Sequence, residues 1–288
     1  MPYHLKTEFD LSDPGVVALI DELPLWSAPF GLKLLEVIEL RKDMRVLDIG
    51  SGSGFPGIEI ARRLGASCQV YAVDPWETAV DRARRKIQQW GITNLHLVEG
   101  RAETLTFEDG CFDLIVSNNG TNNVDDEVRV FAELGRVAKP GAQLTLTMNL
   151  PGTMREFYDV FEQVLSARGM TAERDAIAAH IFEKRKPIPH MRALIASSGF
   201  RIVGADEDAF RLRFVDGTAM LRHSLIRIGF LGSWIALLPS HEVGSVFDEI
   251  EAELNRQAAA RGGLTLTVPW VCFDCRRSES GPTRSVGG

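Results

Sequence analysis

The chain has 288 residues, 45% hydrophobic and 25% charged, which is a globular composition with room for one large α/β domain or two small ones. Its formal net charge of −7 disfavours a broad surface for nucleic acid or anionic membrane. The opening MPYHLKTEFD carries no apolar signal segment, and the most apolar run, Leu225 to Leu238, is too short to span a bilayer and contains Arg227.

Residues 1–40 read as a helical cap. Val16, Val17, Leu19, Ile20 and Leu23 predict a short helix ending before Pro24, and residues 26–31 an aromatic, proline-broken bend. A second helix carries Leu32, Leu34, Leu35, Val37 and Ile38. Trp26 and Phe30 either line a substrate pocket or pack. Met44 to Gly57, MRVLDIGSGSGFPG, is the chain's densest signal: an apolar run ending in Asp48, then Gly50, Gly52, Gly54 and Gly57. Such a run reads as a strand buried on both faces. Ile58, Ile60, Ala61 and Leu64 follow at helical spacing up to Gly65, so the glycines occupy a strand-to-helix turn, where the backbone takes positive φ and approaches a ligand closely.

Further strands are predicted over 69–74, 95–99, 112–117 and 143–150. A helix after Pro75-Trp76 (Val80, Ala83, Ile87 and Trp90 on one face, Gly91 as cap) and another over about 125–138 (Phe131, Leu134 and Val137 inward, stopped by Lys139-Pro140-Gly141) alternate with them. This alternation implies a mostly parallel sheet covered on both faces. The second half is less regular. Residues 153–186 read as helical, with Phe157, Val160, Phe161 and Val164 on one face, and end in the basic stretch Lys184-Arg185-Lys186. A helix over 191–197 and a strand over 200–205 follow. Residues 217–261 are helical again, Ser245 and Asp248 resembling a capping box, and the last strand runs over 264–274. The polar tail, 278–288, reads as disordered.

Cys272 and Cys275 form a lone C-x-x-C with no second pair for zinc, and in a strand i and i+3 face opposite ways. With Cys68 and Cys111 they read as reduced, structural cysteines, which places the protein in the cytoplasm.

Ligands of open parallel sheets bind beyond the carboxyl ends of the strands. There the sequence offers Asp48 and the glycines, Asp74, then Arg101-Ala102-Glu103, then Asn118 and Asn119. A carboxylate ending the second strand suits a ribose diol. Two ligands fit: a dinucleotide and S-adenosylmethionine. A carboxylate at Asp48 repels a pyrophosphate and attracts the ammonium of a methionine moiety, favouring the second.

The run VLDIGSGSG (46–54), the strand VYAVDP closing on Asp74-Pro75, EGRAE (99–103), FDLIVSNNG (112–120) and RVAKPGAQL (136–144) resemble the successive motifs of the class I S-adenosylmethionine-dependent methyltransferases, of the small-molecule, type 11-like kind. The resemblance spans about residues 40–150. It implies an α/β, Rossmann-like, seven-stranded, mostly parallel sheet with helices on both faces and strand seven antiparallel. Residues 41–150 then form the cofactor-binding core, and 151–277 complete the same domain with helical insertions that make a substrate-side lid. Carried over by position, Asp48, Gly50, Ser51, Gly52 and Gly54 hold the methionine end, and Asp74 the ribose. Pro75 and Trp76 lie beside the adenine, Ala102 and Glu103 meet its edge, Asn118 contributes backbone near the methionine group, and Asn119 faces methyl donor and substrate. Arg101 stands where the family often has an acid.

Methyl transfer from an activated sulfonium needs positioning and desolvation, and a base only if the nucleophile arrives protonated. His180 and His190 are the candidates for that base, against the plainer reading of surface or packed histidines; His223 lies in the same regions. No metal set is evident. The reading is thus a small-molecule methyltransferase, with an apolar lid suited to a lipid-like, quinone, polyketide or carboxylate acceptor. The C-terminal half faintly resembles enzymes that esterify carboxylic acids. The alternatives are a ribosomal RNA guanine methyltransferase, whose bacterial guanine-N7 members share strings like GSGSGFPG and GRAE, a non-catalytic binder of the cofactor, and a dinucleotide oxidoreductase.

Overall fold

A computed structural model describes residues 5, 9–22 and 26–279. Leu23, Pro24 and most of the tail expected to be disordered lie outside the described residues. In chain order the elements are α1 (Pro14–Glu22), α2 (Ser27–Val37), β1 (Arg45–Ile49), α3 (Gly57–Leu64), β2 (Gln69–Asp74), α4 (Glu77–Trp90), β3 (Leu95–Glu99), β4 (Phe112–Asn118), α5 (Glu127–Val137) and β5 (Ala138–Asn149). There follow α6 (Arg155–Ala167), α7 (Thr171–Lys184), α8 (Ile188–Ser197), β6 (Phe200–Phe214), α9 (Gly217–Arg222), α10 (Ser224–Ile226), a π-helical turn (Arg227–Leu231), α11 (Gly232–Ile235), α12 (Val243–Arg261) and β7 (Leu264–Arg277).

The seven strands are ordered β3-β2-β1-β4-β5-β7-β6. β1 pairs in parallel with both β2 and β4, so the chain reverses its direction of sheet growth there. β7 is the antiparallel strand: Gln143 of β5 bonds Asp274 while Leu150, just past β5, bonds Pro269, so one strand rises as the other falls. Val46, Leu47, Val70, Ala72, Leu114, Ile115 and Val116 are all buried, as expected of parallel strands covered on both faces.

The chain divides into two compact units. Of the described residues, a sheet unit comprises those within 11–148, 186–207 and 270–279, and a helical unit comprises 5, 9–10, 149–185 and 208–269. The core of the sheet unit gathers Leu34, Val46, Ile60, Val70, Leu95 and Leu114. In the helical unit, Phe157, Phe161, Trp234 and Phe247 are fully buried.

Several boundaries differ from the sequence reading. The bend expected over 26–31 is the first turn of α2; Pro29 is tolerated because an N–H in the first turn has no intrahelical partner to lose. Trp90 is 63% exposed rather than inward, as the last residue of α4, with the Arg62 guanidinium 5.2 Å from its ring centroid. Lys139-Pro140-Gly141 does not separate α5 from β5. It lies inside the strand, where Gly141 takes φ 75° beside a register shift. The helix over 153–186 is broken at Gly169 (φ 72°), and 217–261 is a series of short turns before α12. α12 starts two residues before Ser245, whose hydroxyl donates to the Glu242 carbonyl instead of capping with Asp248. β6 is nine residues longer than expected.

Candidate functional site

All the strand ends that carry candidate groups lie in the sheet unit. β1 passes into its glycine turn at Gly50 (φ 73°), whose N–H bonds the Val73 carbonyl at 2.9 Å. A Cβ on Gly50 would stand 2.7 Å from the Gly120 Cα, and one on Gly120 2.5 Å from the Ile49 carbonyl oxygen. The turns after β1 and β4 therefore touch backbone to backbone. Gly52 (φ 49°) has no atom within 4 Å of where its Cβ would be, so the turn is open on that side.

The carboxylate that ends β2 holds this turn. Asp74 accepts from the Gly52 N–H at 2.7 Å through one oxygen and from the Trp76 N–H at 2.9 Å through the other. Burial raises its pKa against those two amides. A carboxylate accepts about four hydrogen bonds, so roughly two positions remain for a diol.

Asp48 is fully buried, and neither carboxylate oxygen has a hydrogen bond of normal geometry. Among the described residues, the Gly57 amide at the start of α3 faces it. Burial, with the Asp74 charge adding to it, pushes its pKa up to about 7. A buried carboxylate without a partner is costly, and a cationic group beside it relieves that cost. The Ser51 and Thr121 hydroxyls, on the turns after β1 and β4, are likewise buried without partners among the described residues. These orphaned groups, the open position at Gly52 and the free lone pairs of Asp74 fit S-adenosylmethionine: a cation, hydrogen-bonding groups and a ribose.

The other expected residues are placed as follows. Pro75 is exposed, and the Trp76 indole N–H donates to the Leu11 carbonyl at 2.8 Å. Ala102 is buried. Glu103 accepts from the Asp125 N–H at 3.0 Å and from Arg101 at 3.3 Å, so its carboxylate braces the entry to α5. Burial raises its pKa, but these donors prevail and lower it. Arg101 also pairs with Asp125. Asn118 is fixed from both sides, donating to the Ser27 carbonyl at 3.0 Å and accepting from Thr147 at 2.9 Å. Asn119 has φ 60°, a conformation uncommon outside glycine and enriched at functional positions, and accepts from Asn122 at 2.7 Å.

Phe30 is fully buried, edge-on to Trp26 (5.4 Å between centroids) and Trp270 (6.2 Å), so it packs. The two histidines belong to different units: His190, in the sheet unit, meets Glu127 at 2.6 Å, and His180, in the helical unit, meets the Tyr158 hydroxyl at 3.2 Å. Burial, then the nearby Arg185, lowers the His180 pKa. Among the described residues no cluster of three or more His, Cys, Asp or Glu is arranged to hold a metal.

The sequence reading missed the group that anchors the glycine turn. Asp21 of α1 accepts from the Ser53 hydroxyl at 2.6 Å and from Arg82 at 2.9 Å, and pairs with Lys86. Lys86 also donates to the Ser53 carbonyl at 2.8 Å. Burial raises the Asp21 pKa, but these donors outweigh it and lower it.

A family model described as a methyltransferase domain matches residues 40–188, more than half of the chain and every element of this site after α2. The chain belongs to the methyltransferase domain family. That membership decides between the two ligand readings, against a dinucleotide. The chain is 31% identical over 139 residues to a demethylmenaquinone methyltransferase from Listeria welshimeri, covering 47% of this chain and 59% of that protein. It is 32% identical over 142 residues to the ubiquinone/menaquinone biosynthesis C-methyltransferase UbiE of Idiomarina loihiensis, covering 48% and 57%. The match thus spans less than two thirds of the length of these relatives. The YcgJ protein of Bacillus subtilis shares the fold, with a TM-score of 0.59 at 16% identity, covering 88% of this chain and 99% of that one.

Proposed function

We propose that the chain is an S-adenosylmethionine-dependent methyltransferase that acts on a small molecule. The observation that carries this reading is the pairing of an unpartnered buried carboxylate, Asp48, with a glycine turn held open by Asp74. Asp48, Gly50, Ser51, Gly52 and Gly54 hold the methionine end. Asp74 takes the ribose, and Trp76, Ala102 and Glu103 border the adenine beside Pro75. Asn118 and Asn119 flank the methyl group. Bound there, the cofactor supplies a methyl group on a sulfonium, which needs no further activation. The chain's own residues orient the acceptor and exclude water.

The helical unit carries acceptor recognition. The relatives' names make a quinone precursor a sensible member of any acceptor panel. No helix among the described residues is long and apolar enough to cross a membrane. Cys68, Cys111, Cys272 and Cys275 are free and buried, which supports a cytoplasmic location.

Isothermal titration with S-adenosylhomocysteine against NAD tests the cofactor; preference for NAD sinks the reading. Label transfer from radioactive S-adenosylmethionine to small-molecule acceptors tests the activity. Incorporation into purified ribosomal subunits, with none into small molecules, overturns it in favour of the RNA alternative.

A further inference from the structure

In the helical unit, Arg185 is 3% exposed, yet its guanidinium has no carboxylate within ion-pair distance among the described residues. Its Nη1 donates to the Tyr158 hydroxyl at 3.2 Å, its Cζ lies 5.6 Å from the Tyr158 ring centroid, and its buried Nε has no partner. An arginine does not shed its proton inside a protein, so this is a permanent buried cation. Burying a charge without a counter-ion costs several kcal/mol, and natural structures pair such groups or give them a ligand.

The neighbours do not compensate it. The Tyr158 hydroxyl also accepts from the Trp234 indole N–H at 3.0 Å. With two donors already on its oxygen, Tyr158 gives its own proton to His180 Nε2 at 3.2 Å. His180 is then neutral, with its proton on Nδ1, in keeping with its lowered pKa. The tyrosine is a fixed, saturated support that aims the guanidinium, and none of the three residues brings negative charge.

We infer that Arg185, propped by Tyr158, His180 and Trp234, is a carboxylate-recognition site in the helical unit and binds an acidic group of the methyl acceptor. Two parallel N–H donors on one guanidinium edge match the two oxygens of a carboxylate. A phosphate dianion calls for further cations, and the adjacent Lys184 is solvent-exposed and paired with Glu183 at 2.8 Å. The Phe157 and Trp234 rings, stacked 3.8 Å apart and fully buried, make the surroundings of Tyr158 apolar, where a charge-assisted pair is stronger than in water. The carboxylate serves as the handle, and the acceptor atom lies elsewhere on the molecule. The acceptor role rests on the methyltransferase reading; the anion site does not.

The test is calorimetric titration of the full chain with benzoate, its neutral isostere benzamide, and inorganic phosphate, repeated on Arg185→Gln and Arg185→Lys, with S-adenosylhomocysteine titrated into each as a control. Benzoate should bind roughly 10- to 150-fold more tightly than benzamide, the ratio set by one charge-assisted pair, and Arg185→Gln should erase that difference. Arg185→Lys, which keeps the charge and loses the fork, should retain part of it and guards against misfolding of the glutamine variant. Equal binding of benzoate and benzamide, benzoate binding that survives both substitutions, or tighter binding of phosphate than of benzoate overturns the inference. Loss of S-adenosylhomocysteine binding in the unmodified chain would instead remove the methyltransferase reading and leave the anion site standing.

Discussion

Replacing Asp48 by asparagine isolates the cost of the buried charge at the end of β1. The carboxyl has a pKa near 3.8 in the unfolded chain and about 7 in the folded one. Over that interval the folded state binds the proton that the unfolded state has lost, so stability falls as pH rises from about 4 to 7 and stays low above. At 1.36 kcal/mol per pKa unit, a shift of about three units amounts to about 4 kcal/mol at pH 8. Asparagine keeps the shape and the acceptor oxygen that faces Gly57 and removes the charge. Urea unfolding of the cofactor-free protein at pH 4.5, 6 and 8 should show the wild type losing stability relative to Asp48→Asn at each step. The advantage of the variant at pH 8 should approach about 4 kcal/mol, or more than 1 M in urea midpoint for an m-value of 1–3 kcal/mol/M. The same substitution should weaken S-adenosylhomocysteine binding. The wild type should release protons on binding near pH 6.5, as a cationic ammonium restores the carboxylate, and the variant should not. A wild-type-minus-variant stability difference that stays constant between pH 4.5 and 8 refutes the argument.

Gly120→Ala drives a Cβ to within 2.5 Å of the Ile49 carbonyl, so overpacking should lower stability by about 1–3 kcal/mol; an unshifted thermal midpoint would show that the two turns do not touch. Gly52→Ala meets no neighbour, and its φ of 49° costs an L-residue about 1–2 kcal/mol, so the fold should survive while S-adenosylhomocysteine affinity, read by titration, falls tenfold or more. Gly52→Arg should abolish that binding altogether. Asp74→Ala should also abolish it and, by releasing the Gly52 and Trp76 amides, lower stability by about 1–3 kcal/mol in circular-dichroism melts. Burial pushes the thiols of Cys272 and Cys275 up to about 12, so a thiol-reactive disulfide reagent at pH 8 should leave both untouched in the native protein and titrate all four cysteines in urea.

The parts of the fold legible in the sequence are those where one physical demand acts alone. Strands buried on both faces are largely apolar, so β1, β2 and β4 stand out as runs, within a residue of their ends. Asp48, the glycines and Asp74 stand out because each sits where such a run stops. Elements where demands compete were harder to read. The second half of β6, Asp206 to Phe214, lies on the outermost strand of the sheet order, where charges are favoured at the expense of the apolar signal. Contacts between distant segments leave no local trace: Asp21 meets Ser53 across 32 residues and Lys86 across 65, and on α1 it reads as an ordinary surface acid. Lys184-Arg185-Lys186 reads as one basic stretch, yet it straddles the end of α7, where Arg185 turns extended, so its residues face different ways and only the middle one is buried.

Asp48 and Arg185 pose the same problem with opposite sign. Each unit of the protein buries a charged group with side-chain atoms that the described residues leave without a partner, Asp48 in the sheet unit and Arg185 in the helical unit. The acid has an escape, since protonation near pH 7 removes its charge, whereas the guanidinium has none. Their ligands should therefore act differently on stability. A cationic cofactor group gains most above pH 7, where Asp48 is ionised, and less at pH 5, where Asp48 is neutral. A carboxylate at Arg185 gains at any pH above its own pKa. Ligand-linked stabilisation grows as the logarithm of ligand concentration over Kd, so melting curves with S-adenosylhomocysteine and with benzoate, taken at pH 5 and pH 8, separate the two sites without a mutation. The first ligand should stabilise the protein markedly more at pH 8, and the second about equally at both.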